Sequence, residues 1–151
     1  MVDRPFISRR AFVKQASAAG VMTALPSIIP ASALGRERRP APGTRIVIGC
    51  IGVGSQGTGN MNGFLDKDEV QIVAVCDVDR DHLERAKQNV DNVYGNSDCR
   101  TYTDFRELIA REELDAVSLA LPDQWHAIPA IMAAQAGLDI YGEKPLSRSI
   151  L

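Results

Sequence analysis

At 151 residues, 45% of them hydrophobic and 24% charged, the chain has the composition of one ordinary globular domain, which excludes collagenous, repeat and wholly disordered classes. Its net charge of −2 is unevenly spread: residues 1–45 hold eight lysines and arginines against Asp3 and Glu37, and the remainder is acidic. An acidic body argues against a nucleic-acid-binding domain, which would need a basic face for phosphates.

The basic segment has its own explanation. Ser8-Arg-Arg-Ala-Phe-Val-Lys14 resembles the twin-arginine export motif, and an Ala-rich apolar segment follows from Ala16 to Ile29. That segment is too short, and too broken by Gly20 and Pro26, to span a bilayer as a stable helix. Ala31-Ser-Ala33 then fits the small-x-small pattern of a signal-peptidase site. The expectation is an export signal over residues 1–33, a linker over 34–44 rich in Pro and Gly, and a folded domain over 45–151. The twin-arginine machinery would be the export partner, and the working compartment would be periplasmic or otherwise outside the cytoplasm.

The domain opens with an apolar run from Ile46 to Ile51, the pattern of a buried parallel strand. It breaks into Gly52-Val-Gly54-Ser55-Gln56-Gly57, the G-x-G-x-x-G spacing of a dinucleotide-binding turn. Each glycine answers a physical need. Gly52 permits a tight turn, Gly54 lets the backbone approach a pyrophosphate, and Gly57 lets the next helix pack close. A helix over 58–65 then presents its positive dipole end to a diphosphate. Alone, such a turn is weak support for a nucleotide site.

A second strand over 70–77 ends in Asp77, 20 positions beyond Gly57, the spacing of a carboxylate that binds the adenosine ribose. An acid there accepts from ribose hydroxyls and repels a 2′-phosphate, favouring NAD over NADP, although Arg80 nearby is suited to a 2′-phosphate. The spacing predicts a helix over 81–93 with Asp81 as its cap and His82 as a solvated helix histidine. Residues 100–102 read as a short strand. Asp104 caps a helix over 105–111, with Glu107 three residues on in a capping-box-like pattern. A strand over 114–121 stops at Pro122, a helix over 128–136 stops at Gly137, and a last strand over 138–141 runs into Gly142-Glu-Lys-Pro145. Cys50, Cys76 and Cys99 lack C-x-x-C spacing and read as buried free thiols, with no metal site.

Alternating strands and helices predict a Rossmann-type α/β fold: a doubly wound parallel sheet with ligand at the carboxyl ends of its strands. The glycine turn, Asp77, residues 121–126 and residues 142–145 all fall there. His126 reads equally as a helix-entry structural residue and as a cofactor contact. Lys144, ending a strand on the ligand side, favours function.

In these motifs the chain resembles the N-terminal half of the Gfo/Idh/MocA-type oxidoreductases. Gly52 to Gly57, Ala74-Val-Cys-Asp77, Asp104 to Leu108, Leu114 to Val117, Leu121 to Ala127, Ala136-Gly137 and Gly142 to Leu146 carry the resemblance over about residues 45–151. Leu121 stands where the family often has threonine. The resemblance implies an enzyme that exchanges hydride between NAD, or NADP, and a sugar or polyol. It further implies that Pro122 to His126 line the nicotinamide side, with Trp125 and His126 near the cofactor ribose or phosphates. Glu143 and Lys144 would stand beside the nicotinamide ribose, and Lys144 would orient the substrate hydroxyl and assist its proton transfer. Family members continue into a second α/β domain that supplies the substrate pocket and a homo-oligomer interface. The 151 residues therefore read as the N-terminal part, inactive alone. Two alternatives stay open: an NAD-using glycoside hydrolase of the same superfamily, and a catalytically silent nucleotide-binding module.

Overall fold

The computed structural model describes residues 42–148. The expected signal segment and all but the last three residues of the expected linker lie outside the described residues. Pro42–Thr44 form a single 3-10 turn that leads into the sheet.

Among the described residues, five parallel strands alternate with four α-helices: β1 (Ile46–Ile51), α1 (Ser55–Leu65), β2 (Val70–Cys76), α2 (Arg80–Tyr94), β3 (Arg100–Tyr102), α3 (Phe105–Arg111), β4 (Ala116–Leu119), α4 (Ala127–Gln135) and β5 (Asp139–Gly142). The strand order is β3-β2-β1-β4-β5. Connections run one way from β1 to β3 and the other way from β4 to β5, so a topological switch point lies between β1 and β4. The chain is thus a Rossmann-like α/β fold, as its alternating pattern predicts.

Each face of the sheet has its own core. Ile48, Cys50, Ile72 and Val75 pack with Met61 and Leu65 of α1 and with Leu83, Ala86 and Val90 of α2. Ile51, Ala74, Cys76, Val117 and Leu119 pack with Leu108 of α3 and Ala133 of α4. Strict alternation would put Ile72 and Ala74 on one face. They part because the pairing of β1 with β2 shifts between Ile48 and Gly49, where β2 carries one extra residue. Just before the shift, Ile72 N–H donates to the Tyr94 hydroxyl at 3.0 Å. Gly49 makes room on the other face, since a Cβ there would stand 2.8 Å from Leu108 Cδ2.

Helix ends differ from the sequence expectation in instructive ways. The first helix begins at Ser55 rather than at 58, because Thr58 N–H already donates to Gly54 O at 2.7 Å. The cap of α2 is Asp79, not Asp81; its Oδ1 accepts from Asp81 N–H and His82 N–H. Asp104 caps α3 through Arg106 N–H, but Glu107 turns to Arg111 at 3.4 Å instead of completing a capping box. The strand expected over 114–121 contracts to 116–119, although Asp115 N–H and Ala120 N–H still donate to β1 carbonyls. Among the described residues, no helix is long and apolar enough to cross a membrane.

All three cysteines are buried free thiols. Burial pushes Cys50 and Cys76 up to about 12, with Asp77 adding to the effect at Cys76, and Cys99 up to about 11. The thiolate is the reactive form, so all three are held unreactive at neutral pH. Iodoacetamide at pH 8 is expected to label none of them in the folded chain and all three after denaturation, counted by intact mass. Rapid native labelling would contradict this burial.

Candidate functional site

The carboxyl ends of the strands surround a cavity of about 690 Å³ at the switch point. Its floor is the turn between β1 and α1. Gly52 has φ +82°, and a Cβ there would stand 2.2 Å from Ala120 O, against the main chain that leaves β4. A Cβ on Gly57 would stand 1.9 Å from Gly52 O, so only glycine lets α1 sit on its own turn. Gly54 differs: a Cβ there would meet only the His82 ring at 3.6 Å, an ordinary contact. The first and third glycines of the motif are thus demanded by packing. Gly54, Ser55 and Gln56 border the cavity, and no side chain caps the start of α1 there. The leading N–H groups of that helix carry partial positive charge without a side-chain partner.

Asp77 forms the next wall. Its Oδ2 accepts from Val53 N–H at 2.9 Å and its Oδ1 from Asp79 N–H at 3.0 Å. These bonds fix the carboxylate between the glycine turn and the start of α2, and each oxygen keeps a further lone pair. His82, expected as a solvated histidine, instead borders the cavity with Nδ1 3.6 Å from Asp77 Oδ2. Arg80 is absent from the cavity wall, whereas Arg106 is part of it. Arg106 lies 4.5 Å from the Phe105 ring centroid and 3.2 Å from Asp104. His82, Phe105 and Arg106 are not recognisable as site residues from spacing. The topology that lays the loop after β3 alongside Asp77 is the signal that points to Phe105 and Arg106.

Opposite, Leu121, Pro122, Gln124 and Trp125 form the wall from β4 to α4. A 3-10 turn over Asp123–Trp125, closed by Trp125 N–H to Pro122 O at 2.8 Å, leaves the indole half-exposed beside the cavity. His126 is placed elsewhere. It is buried, outside the cavity wall, with both ring nitrogens against main-chain groups.

Glu143 and Lys144 follow β5 and are not cavity-wall residues. Glu143 nevertheless joins the site, because its Oε1 accepts from Asn60 Nδ2 at 2.9 Å and from Gln56 Nε2 at 3.0 Å. Those two amides, Asn60 first, hold the Glu143 carboxyl below the usual carboxylate range, with the Lys144 charge adding a smaller favourable effect. A lowered carboxyl stays ionised through neutral pH. The clamp of β5 to α1 is lost only as pH falls through that lowered value. Lys144 itself is exposed.

This arrangement fits a dinucleotide. It has a turn that tolerates no side chain at Gly52 or Gly57, an uncapped helix start for a diphosphate, and a fixed acid with spare lone pairs for ribose hydroxyls. Gly52, Gly54, Ser55, Gln56, Gly57, Asp77, Leu121, Pro122 and Trp125 come together around one cavity.

Comparison with known proteins follows the same lines. The model of the GFO_IDH_MocA family, an oxidoreductase family with an NAD-binding Rossmann fold, matches residues 46–150. A glycosyl hydrolase family 109 protein of Shewanella pealeana is 31% identical over 95% of the chain, which spans 35% of that relative's length. The chain thus covers about a third of the curated relatives it matches. The crystal structure of myo-inositol 2-dehydrogenase from Lactobacillus plantarum superposes with a TM-score of 0.63 at 31% identity, over 70% of this chain and 30% of that one. The WlbA dehydrogenase from Bordetella pertussis, crystallised with NADH and UDP-GlcNAcA, superposes with a TM-score of 0.59 at 27% identity, over 68% of this chain and 30% of that one.

Proposed function

The chain belongs to the GFO_IDH_MocA oxidoreductase family, with its NAD-binding Rossmann fold, and on that premise we propose that it is the nucleotide-binding part of an exported enzyme acting on a sugar or polyol. The reaction is removal of hydride from a carbinol carbon. The observation that carries the reading is convergence: the glycine turn, Asp77 and the Leu121–Trp125 wall enclose one cavity at the switch point of the sheet.

When bound, a nicotinamide supplies the hydride acceptor. The chain's own residues do the rest of the work assigned here. The start of α1 receives the diphosphate. Asp77 accepts from the adenosine ribose, and its charge disfavours a 2′-phosphate, so NAD is the preferred cofactor and NADP the weaker one. Leu121, Pro122 and Trp125 exclude water from one side. Lys144 orients the substrate hydroxyl and assists its proton transfer as hydride leaves the carbon.

A second reading has an observation in its favour. The relatives named glycosyl hydrolase family 109 align over 95% of this chain, including part of its basic N-terminal segment. In that reading the same hydride removal opens a redox-neutral sequence in which elimination, hydration and hydride return release a free sugar. The shared alignment of the N-terminal segment also supports reading it as a common export leader, with the periplasm as destination.

Product analysis separates the readings. Protein from the complete gene, supplied with NAD⁺ and a panel of polyols and aryl glycosides, is expected to yield either a keto product with stoichiometric NADH or a free sugar with none. Absence of any nucleotide bound to the purified protein, by mass spectrometry of the released ligand, would overturn both.

A further inference from the structure

Lys144 is assigned the chemistry, yet what the fold holds in place is the main chain on either side of it. On one flank, Glu143 N–H donates to Leu119 O at 2.9 Å while its side chain is gripped by Asn60 and Gln56. On the other, Pro145 O lies 2.6 Å from His126 Nδ1. The second ring nitrogen, Nε2, lies 3.0 Å from the backbone N of Leu121. A backbone N–H is always a donor, so Nε2 must accept and carries no proton. The proton therefore sits on Nδ1 and is directed at Pro145 O. With 3% of its surface exposed, the ring is a neutral, buried bridge between the loops that leave β4 and β5.

We propose that His126 is a positioning residue: through these two backbone bonds it fixes the main chain that carries Lys144 relative to the loop that leaves β4, without touching the nucleotide. The two bonds impose different demands. One needs an acceptor facing the loop that leaves β4, the other a donor facing the loop that leaves β5, and both must sit on one rigid plane. A neutral imidazole meets all three conditions. Leu121 follows the last bond from this stretch to β1, so without His126 its partly buried amide would lose its partner. The functional consequence rests on the proposed role of Lys144; the bridge itself does not.

The test uses the 151-residue chain as wild type and as His126→Ala, His126→Gln and His126→Asn. Long-range ¹H–¹⁵N NMR of the wild-type ring is expected to show Nδ1 protonated and Nε2 bare; the opposite tautomer overturns the proposal. In His126→Ala, amide exchange is expected to rise at least tenfold at Leu121 and across residues 143–148, while β2 and α2 stay within twofold. The Gln variant, whose side-chain oxygen can reach toward Leu121, is expected to restore protection there more than at 143–148. If the Ala variant does not fold, the wild-type tautomer and the Gln and Asn variants still decide the matter. A uniform loss of protection over β2 and α2 in the folded variants, or unchanged exchange at 143–148, would reduce His126 to a packing residue. Failure of the function reading shows elsewhere, as Lys144→Ala leaving turnover untouched, with the bridge intact.

Discussion

Gly57→Ala is expected to cost about 3 kcal/mol of stability or more, and to abolish nucleotide binding in whatever folded population remains. The added Cβ would stand 1.9 Å from Gly52 O and 3.3 Å from Ala120 Cβ. Its principal obstacle is backbone, so no rotamer change relieves it. Either α1 lifts off the sheet or the turn opens, and both movements displace the groups that border the cavity. A neighbouring glycine provides the control. Gly59 lies in the interior of the same helix, where an added Cβ would meet nothing within 4 Å, and Gly59→Ala is expected to gain about 0.5–1 kcal/mol from helix propensity. Urea denaturation of the two variants therefore gives effects of opposite sign. If Gly57→Ala melted with wild type, the close approach of helix and turn would be wrong.

Lys144→Ala is expected to lower kcat by about 10²–10⁴-fold on the sugar or polyol that the complete enzyme turns over, the usual range for removal of a proton-transferring group. Nucleotide affinity is expected to change far less. Lys144 is outside the cavity wall, and the clamp of Glu143 to Asn60 and Gln56 does not involve its side chain. Comparing kcat with the Kd for NAD⁺ reads the two effects separately. A variant that kept full turnover would remove Lys144 from the chemistry. One that lost affinity and turnover together would make it a binding residue instead. Asn60→Leu offers a milder companion, since it takes one of two amides from the Glu143 carboxylate while leaving Lys144 in place.

Much of the site is legible in the sequence, for a definite reason. Gly57 is required by the carbonyl of Gly52 a few residues away and Gly52 by its own φ of +82°, and such local demands write themselves into residue type, although the Ala120 carbonyl that also excludes a side chain at Gly52 is distant in sequence. Asp77 is legible because a strand of fixed rise sets its distance from the glycine turn. Residues 121–125 are legible because Pro122 ends a strand on the ligand side.

What sequence patterns miss is partnership across the chain. His82 reads as solvated because its neighbours in sequence are acids and an arginine. In the fold its ring borders the cavity, facing Gly54 and Asp77, which lie on other elements. His126 leaves structure and cofactor contact evenly matched because its partners, Leu121 and Pro145, lie on separate loops.

By itself, then, the sequence determined the alternation of strands and helices, the parallel sheet they must form and the glycine turn at its ligand edge. Hydrophobic period, turn chemistry and strand rise act over a few residues, and short-range causes leave short-range marks. Only the tertiary structure decided that Glu143 is fastened to α1, that Phe105 and Arg106 close the cavity beyond Asp77, and that His126 joins the two loops flanking Lys144. Those outcomes depend on which strands become neighbours. Strand order is set by packing helices on both faces of the whole sheet, a condition that no single stretch of residues carries.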